Sequence, residues 1–183
     1  MSKIMSKNIL ILSGSPRKGG TTDKLVSVFQ KGAEDAGKTV TTYRPADLDI
    51  SGCRGCNHCF SNNGICIIKD DMTAILDIFK NADAVVFASP VYYFTVSAQL
   101  KLAIDRTYSV PGKSTAVQKS ALLLTCGDST SDAAEGAIVM YKHMLAYRKW
   151  EDAGVVLVTG LHSISDIDGR KELESARKLG QDI

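Results

Sequence analysis

Five short apolar runs, spaced at regular distances and separated by stretches of helical periodicity, constrain this sequence more than anything else in it. They lie in NILILSG, KTVTTYRP, ADAVVFASP, SALLLTCGD and AGVVLVTGL, and they hardly alternate between apolar and polar. Strands covered on both faces of a parallel sheet read this way. Between them, Leu25, Phe29, Ala33 and Ala36, then Met72, Ile75, Leu76 and Phe79, then Ala137, Tyr141, Met144 and Leu145 recur at the spacing of one helix face. Parallel strands need right-handed crossovers, which put helices on both sides of the sheet. The expected fold is a three-layer, doubly wound α/β domain with a five-stranded parallel sheet of order 2-1-3-4-5, taking residues 1–183 as one domain. Gly37 should stop the first helix, and GRKELESARKLG should form a last helix ending at Gly180.

Composition narrows the function classes. A chain of 183 residues buries a substantial core without disulfides or metal. A net charge of +2 provides no broad field for gripping nucleic acid. No apolar run approaches the roughly 20 residues of a membrane-spanning helix. The start, MSKIMSKNILILSGS, lacks the long apolar region and small-residue cleavage site of a signal peptide, so a cytoplasmic protein is expected. Four of the five cysteines crowd between Cys53 and Cys66, which in a reducing compartment reads as metal or redox chemistry.

In a sheet of this order ligands bind beyond the carboxyl ends of the strands, where strand order reverses. That selects the loops SGSPRKGGTT and SPVYYFTVS. The first nearly spells a triphosphate-binding loop, but Gly20 stands where the lysine belongs. It is no dinucleotide fingerprint either, because Pro16 replaces the glycine that lets backbone approach a pyrophosphate. What remains is a compact nest: hydroxyls of Ser13, Ser15, Thr21 and Thr22, the fork of Arg17, and the N–H groups opening a helix near Thr22. This suits a terminal phosphate monoester, although Ser, Thr and Gly can also simply cap a helix. The second loop carries Tyr92, Tyr93 and Phe94 in a row, suited to flanking a planar heteroaromatic ring.

GSPRKGGTTDKL, CRGCNHCFSNNGICIIKDDM and SPVYYFTVSAQLKLAIDR, in this order, resemble the NADPH-dependent FMN reductase and iron-sulfur flavoprotein group of flavodoxin-like proteins. The resemblance implies an FMN whose phosphate meets Ser15, Arg17, Gly20, Thr21 and Thr22, and whose ring is bordered by Pro90, Val91, Tyr92, Tyr93 and Phe94. Cys126, Gly127 and Asp128, after the fourth run, would approach it by position. It further implies an FMN-dependent oxidoreductase taking hydride from NADPH or NADH and reducing a small-molecule acceptor such as a flavin or quinone, assembled as a homodimer or homotetramer. The cofactor carries such chemistry, so no catalytic acid or base is named.

Cys53, Cys56, Cys59 and Cys66 form a C-x2-C-x2-C-x6-C array. Three thiolates at successive x2 spacings with a fourth nearby suit a [4Fe-4S] cubane better than the paired cysteines usual for zinc. Zinc, with His58 as an alternative ligand, and a redox-active dithiol stay open. With a cluster, the alternative reading is an iron-sulfur flavoprotein passing electrons between cluster and FMN, fed by a ferredoxin-like protein. A non-catalytic flavin- or metal-binding regulator is the third. Cys126 also reads as a small buried hydrophobe, and Asp105 and Arg106, which end the third helix, read either as an ion pair or, preferably, as helix surface or a subunit contact.

Overall fold

The computed structural model describes residues 7–183. In chain order the elements are β1 (Asn8–Ser13), α1 (Thr21–Asp35), β2 (Thr39–Tyr43), α2 (His58–Ser61), α3 (Met72–Asn81), β3 (Ala84–Tyr92), β4 (Thr95–Val96), α4 (Ala98–Arg106), β5 (Lys119–Thr125), α5 (Glu135–Arg148), β6 (Glu151–Val158) and α6 (Lys171–Asp182). The sheet runs β2-β1-β3-β5-β6 with all these pairs parallel. The five apolar runs thus adopt the expected order, and the fold is flavodoxin-like.

The missing alternation has a direct cause. Along one strand, neighbouring residues feed opposite cores: Leu10, Leu12, Val85, Phe87, Leu122 and Leu124 pack with α3, α4 and α5. Ile9, Ile11, Val86, Ala88, Ala121 and Leu123 pack with α1 and α6. Burying each Val, Leu, Ile or Phe side chain contributes about 1.5–3 kcal/mol, so both sets must be apolar. β2, at the sheet edge, is only partly covered, and its sequence TVTTY is correspondingly polar.

Two expectations on the elements need correction. Gly180 lies inside α6 rather than at its end, because α6 crosses α1 so closely that a Cβ there would stand 2.1 Å from the Phe29 carbonyl oxygen. Gly32, on the facing helix, would meet the Arg177 carbonyl oxygen at the same distance. The aromatic stretch is a tight hairpin rather than a loop: β3 continues through Tyr92 and pairs with β4, with Tyr92 opposite Thr95. The cysteine segment carries one helical turn, α2, across Cys59.

Candidate functional site

The first loop is built as a rigid seat. Gly14 is wedged between β3 and α4: its N–H donates to Ala88 O at 2.7 Å, and its carbonyl accepts from Ser97 Oγ at 2.7 Å. A Cβ on Gly14 would lie 2.5 Å from Leu100 Cβ. Ser15 Oγ accepts from the Arg17 N–H at 3.2 Å and turns the chain. Arg44, from the end of β2, donates to the Ser15 carbonyl at 2.8 Å and pairs with Asp23. That pairing matters electrostatically. Asp23 sits in the first turn of α1, where a bare carboxylate would repel an anion, but Arg44 and the Gly19 N–H (2.7 Å) occupy it. Gly20 caps α1 with no side-chain bond, so the first-turn N–H groups face outward with the positive end of the helix dipole. Arg17 is exposed at the rim.

From this seat a basin of about 350 Å3 extends across the carboxyl ends of the strands. Ser15, Arg17, Lys18, Gly20, Thr21 and Thr22 line one end, and Pro90, Val91 and Tyr92 one wall. Thr125, Cys126 and Gly127 after β5, with Leu161, His162, Ser163 and Ile164 after β6, complete it. Thr22 is buried, its hydroxyl sharing a 2.7 Å hydrogen bond with that of Thr125, which pins α1 to β5. Cys126 is buried, as a small hydrophobe would be, and lines the basin.

Four of the expected residues lie elsewhere. Ser13 is buried at the end of β1, its hydroxyl without a partner among the described residues, and it lines a separate groove along α1 and β2. Tyr93 (94% exposed) and Phe94 project from the hairpin tip. Asp128 turns its carboxylate to Thr130, accepting from N at 2.8 Å and Oγ1 at 3.0 Å, and these bonds hold its pKa below the usual carboxylate value. The wall from Leu161 to Ile164 went unread in the sequence. Its signal was the end of the fifth apolar run, which topology brings to the same edge. There Leu161 N–H donates to Cys126 O at 3.0 Å, and Asp166 accepts from the His162 and Ser163 N–H groups at 2.8 and 2.7 Å.

The hairpin beside the basin holds backbone strain. Tyr93 (φ 48°) and Phe94 (φ 68°) both adopt left-handed conformations, as a two-residue type I′ turn demands, though bulky residues pay about 1–3 kcal/mol there. Gly136 locks it from behind, since a Cβ at that position would stand 2.5 Å from the Phe94 carbonyl oxygen.

Cys53, Cys56, Cys59 and Cys66 all line one small cavity of about 40 Å3, walled also by Ile67, Ile68, Arg106 and Tyr108. Left-handed Gly55 and Asn57 wrap the chain around it. Among the described residues no three cysteines, histidines or carboxylates stand in a metal-holding arrangement, so the thiols share a cavity without closing on a centre. His58 bonds Asn62 through Nε2 at 3.1 Å.

Arg106 overturns the surface reading given to it, being 1% exposed. Its guanidinium forks onto Asp70 at 2.6 and 3.0 Å and also donates to Ser51 O at 2.8 Å and Ile68 O at 3.2 Å. Asp70 in turn accepts from Ser51 N at 2.9 Å. One buried ion pair therefore ties together both ends of the cysteine segment. Burial works against the ionised Asp70 carboxylate, but its bonds to Arg106, Ser51 and Met72 outweigh that and hold its pKa below the ordinary value. Asp105 pairs instead with Lys101, at the surface. Beside the cavity runs an open apolar groove of about 650 Å3 lined by Cys53, Ile104, Tyr108, Met140, Met144 and Tyr147 among others. Phe60, Tyr108 and Tyr147 form an exposed aromatic row along it.

The family pattern described as NADPH-dependent FMN reductase matches residues 7–157. An iron-sulfur flavoprotein of Archaeoglobus fulgidus is 31% identical over 170 residues, covering 93% of this chain and 76% of the relative. Another iron-sulfur flavoprotein, from Methanocaldococcus jannaschii, is 39% identical over 99 residues, covering 54% of this chain and 51% of its own length. Among solved structures, an NAD(P)H:quinone oxidoreductase from Methanothermobacter marburgensis superposes with a TM-score of 0.78 at 20% identity, covering 97% of this chain and 96% of that one. That likeness concerns the fold.

Proposed function

This chain belongs to the NADPH-dependent FMN reductase family, and from that membership we propose an FMN-dependent NAD(P)H oxidoreductase whose cofactor occupies the basin at the carboxyl ends of the parallel strands. The observation that carries the reading is an anion seat, with uncapped N–H groups at the start of α1, opening directly into a cavity walled by Pro90, Val91 and Tyr92. At about 350 Å3 the cavity falls within the range of small-molecule sites, roughly 300–1,000 Å3. Hydroxyls of Ser15 and Thr21, N–H groups around Gly20 to Thr22, and Arg17 match the several acceptors and near-double charge of a phosphate monoester. The lysine that a triphosphate would need is missing, and Asp23 is neutralised by Arg44.

The chemistry FMN supplies when bound is hydride acceptance from reduced nicotinamide and delivery to an acceptor. The protein's part is to hold and orient. Arg17 and the helix start fix the phosphate end, and Tyr92, 38% exposed, offers its ring at the open wall. Leu161 and buried Cys126 give the opposite side apolar lining. The acceptor is proposed to be a small molecule such as a flavin or quinone. The apolar groove with its exposed Tyr108 and Tyr147 supports self-association as a homodimer or homotetramer, which light scattering measures. The central test is FMN titration of the purified chain followed by anaerobic mixing with NADPH and NADH. Stoichiometric uptake and bleaching of the flavin by either nicotinamide is expected, and protein that takes up no FMN overturns the reading.

A second reading is favoured by one specific observation: all four array cysteines line a single cavity whose chain ends are tied by a buried ion pair. Four thiols suit a [4Fe-4S] cluster as a donor set, with Cys53, Cys56, Cys59 and Cys66 as ligands and one-electron transfer as the chemistry supplied. The chain would then exchange electrons with a ferredoxin-like protein. Iron and sulfide analysis after anaerobic purification separates the two: four of each per chain is expected for this reading, and neither for the first alone.

A further inference from the structure

Arg106 has one more hydrogen-bond donor than its partners use. A guanidinium carries five N–H groups. The two on one terminal nitrogen go to Asp70 Oδ2 and Ser51 O, and the two on the other to Asp70 Oδ1 and Ile68 O. The fifth, on Nε, is buried with no partner among the described residues. An unmet buried donor of this kind costs about 1–3 kcal/mol, more when it belongs to a charged group, so in a native structure it calls for an explanation. Arg106 and Cys66 wall the same small cavity.

We propose that Arg106 is a positioning residue for the cysteine cavity: its Nε–H is held for sulfur at Cys66 when that cysteine ligates an iron-sulfur cluster, and the bond tunes the cluster's reduction potential. This rests on the second reading above. The physics is direct. A donor aimed at cluster sulfur stabilises the more negative, reduced state, so hydrogen bonding raises the potential and its loss lowers it. Because the other four donors fix the guanidinium through Asp70, Ser51 and Ile68, the fifth cannot rotate away to find water. The side chain that closes the segment is thus also the one that presents a fixed donor to its sulfur.

The test is anaerobic reconstitution of the full chain with iron and sulfide, followed by redox titration monitored by electron paramagnetic resonance. Two variants accompany the wild type. Arg106→Met combined with Asp70→Leu replaces the buried pair by apolar groups, an exchange proteins often tolerate, and Arg106→Lys keeps the charge facing Asp70. Far-UV circular dichroism and thermal melting confirm the fold of each. The expected result is unchanged iron and sulfide content with a more negative potential. The one-electron equilibrium should shift about tenfold, or about 59 mV. If the double variant takes up no cluster, Arg106→Lys is judged by the same criterion. Normal loading at an unchanged potential overturns the proposal while leaving the cluster reading intact. Folded variants that both refuse the cluster overturn the tuning role and leave Arg106 a structural tie. Wild-type protein that takes up neither iron nor sulfide overturns the cluster reading and the proposal with it.

Discussion

Two side chains carry opposite kinds of risk. Arg17 is exposed and contributes to the seat by charge, so Arg17→Ala should leave folding untouched and weaken FMN binding. A charge-assisted bond is worth about 1.5–3 kcal/mol, or roughly 10- to 150-fold in affinity, which flavin fluorescence titration measures. Asp70 is buried against Arg106, and Asp70→Asn should destabilise the fold by about 3–5 kcal/mol in urea, because it strands a cation in the interior. The pH dependence follows from the sign of the shift. Asp70 has a folded pKa below its ordinary 3.8, so its stabilisation is complete above about pH 5 and is lost as pH falls through the folded value. Wild-type protein should therefore lose stability between about pH 5 and pH 2 more steeply than the Asn variant does, in paired urea melts. Neither role of the Asp70–Arg106 pair was legible in the sequence. The two residues are far apart in the chain, and a charged pair at a helix end reads by default as surface.

At the scale of elements, the strands were readable because burial on both faces leaves no room for polar residues. The helices were readable because each buries only one stripe. What the pattern could not reveal was the behaviour of backbone under tertiary constraint. Gly180 carries every mark of a helix terminus, yet it continues α6 because α1 approaches too closely for a side chain. Gly180→Val should accordingly cost more than the about 1–3 kcal/mol typical of overpacking, since the clash is with the Phe29 carbonyl and not with a flexible side chain. The turn at Tyr93 and Phe94 was hidden for the converse reason, as two bulky aromatics are poor I′ residues. Replacing them by Asn-Gly should relieve strain and raise the melting temperature. If the exposed rings serve substrate or a second subunit, turnover or assembly should fall in the same variant, and an unchanged value of both would make the hairpin purely structural.

For the molecule as a whole, the two loops after β1 and β3 were legible as a candidate site because doubly wound topology sends parallel strand ends to one edge. Leu161 to Ile164 escaped notice because nothing in that stretch marks a ligand. Only the position of β6 beside β5 brings it there. A cofactor bound across four separate strand ends should stabilise the entire fold by mass action, about 2.7 kcal/mol at a hundredfold excess over its dissociation constant. Thermal melts with and without FMN should show that gain in the wild type and a smaller one in Arg17→Ala. The cysteine segment stands outside this economy. With Ser51 and Asp70 bonded to each other and both held by Arg106, its ends meet at one point beside the sheet, as the two ends of a plug meet its socket. Lengthening a chain already closed on itself costs only a slowly growing entropy. The segment between Ser51 and Asp70 can therefore change in length at small entropic cost while the flavodoxin-like frame keeps its shape.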